Sequence, residues 1–243
     1  SRIDKDFIDD IKIDKISKLM SKENLALSEM SYGYFLLAEN ERKKRNYTLE
    51  VDYLKKANQY SFDSMIQTNN KTLEYWKNII TKNYNNFVFK NEKNINKLKN
   101  YKPIFIIGLP RSGSTVIEVL LTSENVSSLG ESNIFNGILF QNFLRHNNIV
   151  EIDLEIVEKK IIEIFENRNF IKNNQFFIDK SLENFFYIDV ILKIFPNAIF
   201  INTTRNIEDN IFAIFKQSLN KLSWTHSIEE ILIYTDNYFK IID

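Results

Sequence analysis

The segment GLPRSGST, residues 108–115, combines two glycines, an arginine and three hydroxyl side chains in one short stretch. The chain of 243 residues has only five glycines, so two of them in one loop indicate that its backbone needs conformational freedom. An apolar run at residues 104–107 precedes the loop and predicts a strand, and residues 115–121 predict a helix. A strand that turns into a helix N-terminus presents backbone N–H donors at the positive end of the helix dipole. We therefore predict that this loop binds a phosphate or a similar anion.

The spacing of the loop is that of a Walker A motif, G-x-x-x-x-G-K-[ST], with one departure. Ser114 stands where that motif has its lysine. Because the lysine neutralises the β- and γ-phosphates of a nucleoside triphosphate, its absence argues against a nucleoside triphosphatase. Arg111 is the cation of this loop, and a guanidinium suits a shorter anion that it can grip by several hydrogen bonds. A glycine turn with a surface arginine is the alternative that the loop alone leaves open.

The residues after Pro103 predict the elements that position the loop. Short apolar runs alternate there with amphipathic stretches, which predicts an α/β domain at residues 101–243 with a P-loop-like parallel sheet flanked by helices. The predicted strands are residues 104–107, 176–178 and 198–201, and the predicted helices are residues 115–121, 154–165, 185–195, 207–218 and the stretch after 227.

Residues 1–100 have a different pattern, with one glycine, no proline and apolar positions at helical spacing. They predict an α-helical segment followed by a lysine-rich linker at residues 90–102. Two stretches, residues 34–38 and 51–59, are similar to one tetratricopeptide unit. Because one unit shows no period, a plain helical hairpin is the alternative.

The composition excludes several classes of protein and site. Lysine plus arginine and aspartate plus glutamate both total 32, so no overall charge excess indicates nucleic acid as a partner. The absence of cysteine excludes disulfides and thiolate metal sites, and His146 and His226 have no metal-ligand spacing. No stretch is long and apolar enough to span a membrane. We expect a soluble, cytoplasmic protein without a metal.

Two blocks of the sequence carry a resemblance to a known family. The stretch PIFIIGLPRSGSTVIEVLL resembles the 5′-phosphosulfate loop of the sulfotransferases that use 3′-phosphoadenosine 5′-phosphosulfate (PAPS). The stretch FIDKSLENFFYIDVILKIFPNAIFINTTRNIEDNIFAIFKQ resembles the second block of the same family, in the same order. The group that it most resembles is the bacterial one with tetratricopeptide helices ahead of the catalytic domain, which is related to the tyrosylprotein sulfotransferases.

The resemblance implies roles for the loop at residues 108–115, which we call the donor loop, and for two charged residues. Arg111 matches the arginine that grips the phosphosulfate, and Ser112, Gly113, Ser114 and Thr115 would supply N–H and hydroxyl donors. Gly130 and the next residue match the G-E pair of the family, whose glutamate is the general base, although the spacer from the loop is one residue shorter than expected. That assignment makes Glu131 the base, with a solvent-exposed carboxylate as the alternative. Lys180 matches the lysine that stabilises the transferring group.

Arg205 matches the arginine that binds the 3′-phosphate of PAPS. The family has a serine eight residues further on, and this chain has Ala213 there. The departure removes one hydroxyl donor and puts the affinity for the donor in question.

The resemblance implies in-line transfer of a sulfuryl group from PAPS to an acceptor hydroxyl or amine. The acceptor, whether peptide, saccharide or small molecule, is not specified by the sequence, and the N-terminal helices would suit a protein partner. Two alternatives are an ATP-using P-loop kinase or nucleotidase, and a non-catalytic helical-repeat protein with a decayed sulfotransferase domain. Relatives continue beyond the last helix, so we expect residues 101–243 to be a C-terminally incomplete domain.

Overall fold

A computed structural model describes residues 10–21, 24–145, 150–168, 170 and 176–242. His146 lies outside these ranges. None of the helices that they contain has both the length and the hydropathy that a membrane span requires.

Helices account for most of the described elements, and the strands are short. The α-helices are α1 (Asp10–Met20), α2 (Leu27–Lys43), α3 (Tyr47–Ser64), α4 (Ile66–Glu74), α5 (Thr81–Asn83), α6 (Ser114–Leu121), α7 (Ile134–Arg145), α8 (Leu154–Asn167), α9 (Ile188–Ile194), α10 (Ile207–Phe215) and α11 (Ile228–Ile242). The strands are β1 (Phe87–Lys90), β2 (Lys102–Gly108), β3 (Ser127–Ser128), β4 (Val150–Asp153), β5 (Phe176–Asp179) and β6 (Ile199–Thr203). A π-helix at Tyr75–Ile80 joins α4 to α5.

Four strands form the main sheet, in the order β3-β5-β2-β6, and every pair in it is parallel. Phe105 of β2 pairs with Asp179 of β5 on one side and with Phe200 of β6 on the other. The side chains of Phe105, Ile106 and Ile107 are buried, which explains the continuous apolar run of this central strand. The predicted parallel α/β sheet is therefore confirmed.

The parallel order brings three strand ends to one edge of the sheet. Strands β2, β5 and β6 end at Gly108, Asp179 and Thr203, respectively. Because neighbouring parallel strands run in the same direction, the residues that follow these ends lie at the same edge, where open α/β sheets bind ligands. The donor loop, Lys180 and Arg205 all follow one of these ends.

The sequence pattern did not predict three of the short strands. Strands β1 and β4 form a separate parallel pair, and β3 lies at the edge of the main sheet. Each is four residues or shorter, so its periodicity is too brief to distinguish it from a loop. The stretch predicted as a lysine-rich linker contains two buried side chains, Ile95 and Leu98. Glu158 accepts hydrogen bonds from the backbone N–H groups of Lys97 and Leu98 at 2.8 and 3.1 Å.

The helix predicted at residues 185–195 is split in the structure. Residues Leu182–Tyr187 form a 3₁₀-helix, and α9 follows it. The first turn is tight because Asn184 donates its backbone N–H to the carbonyl of Ser181, at 2.9 Å, and its side-chain amide to Asp179, at 3.3 Å.

The chain forms two compact units. The first comprises the residues up to Leu73 together with Ile211–Tyr234, and the second comprises Glu74–Asn210 with the residues from Thr235. In the first unit α2 and α3 form a helical hairpin, and Asn58 of α3 donates to the carbonyl of Phe215 at 2.9 Å. The tetratricopeptide relation of these helices and the domain boundary after residue 100 stay predictions.

Candidate functional site

The donor loop, residues 108–115, begins at a position that only glycine can occupy. Gly108 has a φ of +136°. A Cβ at this position would lie 2.6 Å from the carbonyl oxygen of Thr203 and 2.8 Å from its hydroxyl. Gly108 therefore allows β2 and β6 to approach closely where the loop leaves the sheet.

Three hydrogen bonds hold the loop in position. Ser112 donates its hydroxyl to the carbonyl of Leu109 at 2.7 Å, and this hydroxyl lies 2.7 Å from that of Thr203. Asn210, from α10, donates its amide to the carbonyl of Pro110 at 2.8 Å. Arg111, between these anchors, has a φ of +68°, a conformation that a residue with a Cβ adopts only at a cost of about 1–2 kcal/mol. The anchors hold the backbone in this shape.

The loop leaves its backbone donors free. In the described part of the chain, the N–H groups of Gly113, Ser114 and Thr115 have no hydrogen-bond acceptor, as the first residues of a helix typically do not. The guanidinium of Arg111 is exposed and forms no ion pair with another described residue. Free N–H donors at a helix N-terminus beside an unpaired cation form an anion-binding loop. Since the hydroxyl of Ser112 is engaged within the loop, only its N–H remains for a ligand.

Lys180 and Glu131 form an ion pair next to this edge. The ammonium nitrogen of Lys180 lies 2.7 Å from Oε1 of Glu131, and the backbone N–H of Lys180 donates to the carbonyl of Gly130 at 2.9 Å. Lys180 is only 6% exposed, whereas the side chain of Glu131 is 67% exposed. The structure thus brings together two residues that are 49 positions apart. Lys180 is therefore enclosed by the protein, whereas Glu131 is open to an incoming molecule.

A second carboxylate, Glu118, also approaches Lys180. Its Oε2 lies 3.7 Å from the ammonium, and its Oε1 accepts a hydrogen bond from the hydroxyl of Ser128 at 2.5 Å. Glu118 is on α6, the helix that begins in the donor loop. Sequence analysis missed this residue, although a single carboxylate on an otherwise apolar helix is a local signal for a polar partner.

The loop that contains Glu131 is anchored by Asp179, the last residue of β5. Asp179 is 1% exposed and accepts hydrogen bonds from the hydroxyl of Ser132 and from the backbone N–H of Ser181, the latter at 2.8 Å. Ser181 in turn accepts from the N–H of Asn133 at 2.8 Å. Burial raises the pKa of the Asp179 carboxyl, and the hydrogen bonds from Ser132 and Ser181 oppose that rise. The sequence analysis assigned no role to Asp179.

Arg205 lies two residues beyond the end of β6, at the same edge of the sheet. Its side chain is exposed and has no ion pair within the described ranges. Helix α10 begins at Ile207, and Ala213 on that helix is half-buried. Arg111, Lys180 and Arg205 therefore follow three neighbouring strands.

No group of three or more histidine, aspartate or glutamate side chains in the described residues is arranged to hold a metal ion. Arg111, Lys180 and Arg205 are three cations at one edge of the sheet, and each can pair with an anionic group.

A loop with N–H donors follows the central strand of this parallel sheet, and a lysine–glutamate pair follows the next strand, an arrangement that can hold an anionic group and take up a proton. The sulfotransferase family model matches residues 103–241, which is more than half of the chain. The chain belongs to the sulfotransferase family, and the resemblance is confirmed at that level. A comparison with curated proteins and one with solved structures found no match. The relation to the tetratricopeptide-linked group and to tyrosylprotein sulfotransferases stays a prediction.

Proposed function

We propose that this sulfotransferase-family chain moves a sulfuryl group from PAPS to an acceptor hydroxyl or amine. The observation that supports the proposal is the ion pair of Lys180 with Glu131, because a carboxylate and an ammonium meet after β5, the strand next to the one that leads into the donor loop. Sulfuryl transfer requires in-line positioning and charge stabilisation, which these groups would supply.

The donor loop would hold the 5′-phosphosulfate. The N–H groups of residues 112–115 lie at the N-terminus of α6 and would donate to the oxygens of the phosphosulfate, together with the hydroxyls of Ser114 and Thr115. Arg111 would pair with the same group through its guanidinium. Arg205 would pair with the 3′-phosphate, because it follows the neighbouring strand β6 and its exposed guanidinium has no ion pair with another described residue.

Glu131 would act as the general base. The acceptor oxygen forms a bond to sulfur as its proton passes to the carboxylate of Glu131, and the bond between sulfur and the bridging oxygen of the donor breaks. Lys180 and Arg111 would stabilise the electron pair that stays on the departing 3′-phosphoadenosine 5′-phosphate (PAP). A general base contributes about 10²- to 10⁴-fold to the rate, and charge stabilisation is usually the larger effect.

The ion pair of Lys180 with Glu131 must open during this reaction. While Oε1 of Glu131 accepts the hydrogen bond of the Lys180 ammonium, that oxygen is not available to a second molecule. A bound phosphosulfate offers Lys180 a competing anion, so donor binding would release Glu131 for the acceptor. We therefore propose that the donor binds before the acceptor.

Two measurements test the proposal. PAP should raise the melting temperature of the chain much more than adenosine 5′-monophosphate does, and Arg205→Ala should remove most of that difference. In addition, ³⁵S-labelled PAPS should transfer its label to a member of a panel of hydroxyl and amine acceptors. Tighter binding of ATP than of PAP would support a kinase or nucleotidase, and the absence of both PAP binding and transfer would support a non-catalytic domain.

A further inference from the structure

Glu118 occupies a junction between three parts of the site. It belongs to α6, which begins in the donor loop, and its Oε1 accepts from the hydroxyl of Ser128 at 2.5 Å. The same hydroxyl accepts from the backbone N–H of Gly130 at 2.9 Å, directly before Glu131. The other oxygen of Glu118 lies 3.7 Å from the ammonium of Lys180. One carboxylate thus connects the donor-loop helix, the Glu131 loop and Lys180.

The two carboxylates around Lys180 differ in their accessibility. The side chain of Glu131 is 67% exposed, and that of Glu118 is 15% exposed. An acceptor can therefore reach Glu131 from solvent, whereas Glu118 is enclosed by its neighbours. The hydrogen bond from Ser128 also satisfies one oxygen of Glu118.

The counterion of the Lys180 ammonium changes during the proposed reaction. Before the donor binds, Glu131 is the nearer counterion of the enclosed ammonium. In the proposed reaction the donor takes over that pairing, and Glu131 becomes neutral when it takes up the proton of the acceptor. The anion beside Lys180 then belongs to the group that leaves as PAP, and a buried charge without a counterion is strongly destabilised. Among the described residues, Glu118 is the other carboxylate within 4 Å of the ammonium, and it takes no part in the proton transfer.

We propose that Glu118 is a positioning residue that keeps the Lys180 ammonium at the reaction centre while Glu131 is protonated. The inference rests on the proposed function, because it assigns Glu118 a task in the transfer step. Glu118 touches neither the sulfuryl group nor the acceptor in this scheme. It acts through Lys180, and its negative charge is the property that matters.

The retention of Lys180 can be measured without a donor or an acceptor. Glu131→Gln imitates the protonated base, and the ¹H–¹⁵N NMR signal of the Lys180 ammonium, assigned by its loss in Lys180→Arg, reports whether the group stays held. We expect the signal to persist in Glu131→Gln and to vanish in the double variant Glu131→Gln/Glu118→Gln. Loss of the signal in Glu131→Gln alone overturns the proposal, and so does its persistence in a folded double variant. Should the double variant not fold, the single variant decides.

Kinetics separate positioning from a general structural role. In Glu118→Gln we expect kcat to fall at least about tenfold, while PAP binds at least as tightly as before because a negative charge beside Lys180 is gone. Glu118→Asp keeps the charge and should recover part of the loss in kcat. Glu124→Gln is the matched control, since Glu124 is an exposed residue of the turn that follows α6, and it should change neither quantity.

An equal loss of PAP affinity and kcat in Glu118→Gln would mean that Glu118 merely supports the fold, and it would overturn the proposal. Failure of the proposed function has a different signature. In that case the wild type itself neither binds PAP nor transfers sulfate, while the NMR signals still report on the pairing of Glu118 with Lys180.

Discussion

The donor loop and the cluster around Lys180 are assembled in opposite ways. The donor loop is one continuous segment, residues 108–115, and its free N–H groups follow from its own turn into α6. The Lys180 cluster combines Glu118, Glu131 and Asp179, which come from a helix, a loop and a strand. A local site tolerates change in distant elements as long as its own backbone is held. A composite site depends on every element that contributes to it.

The largest effect is expected from Lys180→Ala, which removes the centre of the composite site. Turnover should fall by about 10²- to 10³-fold because a preorganised charge at the reacting centre is lost. PAP affinity should fall less, since the donor loop is intact. Calorimetric PAP titration and kcat measured on the same preparation check this difference, with the exposed Lys99→Ala as the control. An equal fall in both quantities would mean that the two sites are not separable.

The second largest effect is expected from Gly108→Ala, which replaces the first residue of the donor loop. The new Cβ would meet the carbonyl of Thr203 at 2.6 Å in a backbone conformation that alanine avoids. We expect a loss of roughly 2–4 kcal/mol in the free energy of unfolding, together with most of the PAP binding.

Gly137→Ala is the matched control for that change. Gly137 lies in α7, and a Cβ there would meet no atom within 4 Å. Alanine should therefore stabilise the helix by about 0.5–1 kcal/mol and leave PAP binding unchanged. Urea unfolding of both variants checks the pair, and similar stabilities would refute the close approach of β2 and β6 at Gly108.

Asp179→Asn tests whether the Glu131 loop depends on its buried anchor. The amide can no longer accept all the hydrogen bonds from Ser132 and Ser181, so we expect a loss of about 1–3 kcal/mol in unfolding free energy. Turnover should fall more than PAP affinity, because the loop holds Glu131 and not the donor. Unchanged turnover would show that the loop keeps its position without Asp179.

One share of the pH dependence of stability should arise outside both sites, at His226. Burial lowers the pKa of His226 to about 4, and neither ring nitrogen has a hydrogen-bond partner in the described residues. The folded imidazole stays neutral while the unfolded one takes up a proton below pH 6.5, so stability is lost as the pH falls through that range. From about pH 7 to about pH 5 the loss is about 2 kcal/mol.

His226→Leu should remove this share of the acid destabilisation. Urea unfolding of the wild type and the variant at both pH values measures it. An identical pH dependence in the two proteins would assign the effect to other groups, the Lys180 cluster included.

The smallest effect is expected from Ala213→Ser, which restores the hydroxyl that the family has at this position. A hydrogen bond to a charged phosphate oxygen is worth about 1.5–3 kcal/mol in good geometry, so PAP should bind about tenfold more tightly or better. The gain should vanish in the Arg205→Ala background. Unchanged affinity with a lower melting temperature would mean that the half-buried position 213 does not face the donor.

The sequence predicted the central elements of the sheet well and the short ones poorly. Strand β2 and helix α6 were recognised because a long apolar run and a glycine loop are local signals. Strands β1, β3 and β4 were missed because they exist through pairing with distant partners. The split of the predicted helix at residues 185–195 depends on Asp179 and Ser181, which bind its first turn.

The sequence by itself determined the donor loop, because the residue types and spacing at 108–115 specify both its turn and its free donors. It also marked Glu131, Lys180 and Arg205 as candidates through their resemblance to the family. Only the tertiary structure decided that Lys180 lies between Glu131 and Glu118 and that Asp179 anchors the Glu131 loop. The physical reason is that these contacts join residues 47 to 62 positions apart, and the parallel pairing of β3, β5 and β2 sets their distances. No local pattern of side chains encodes such distances.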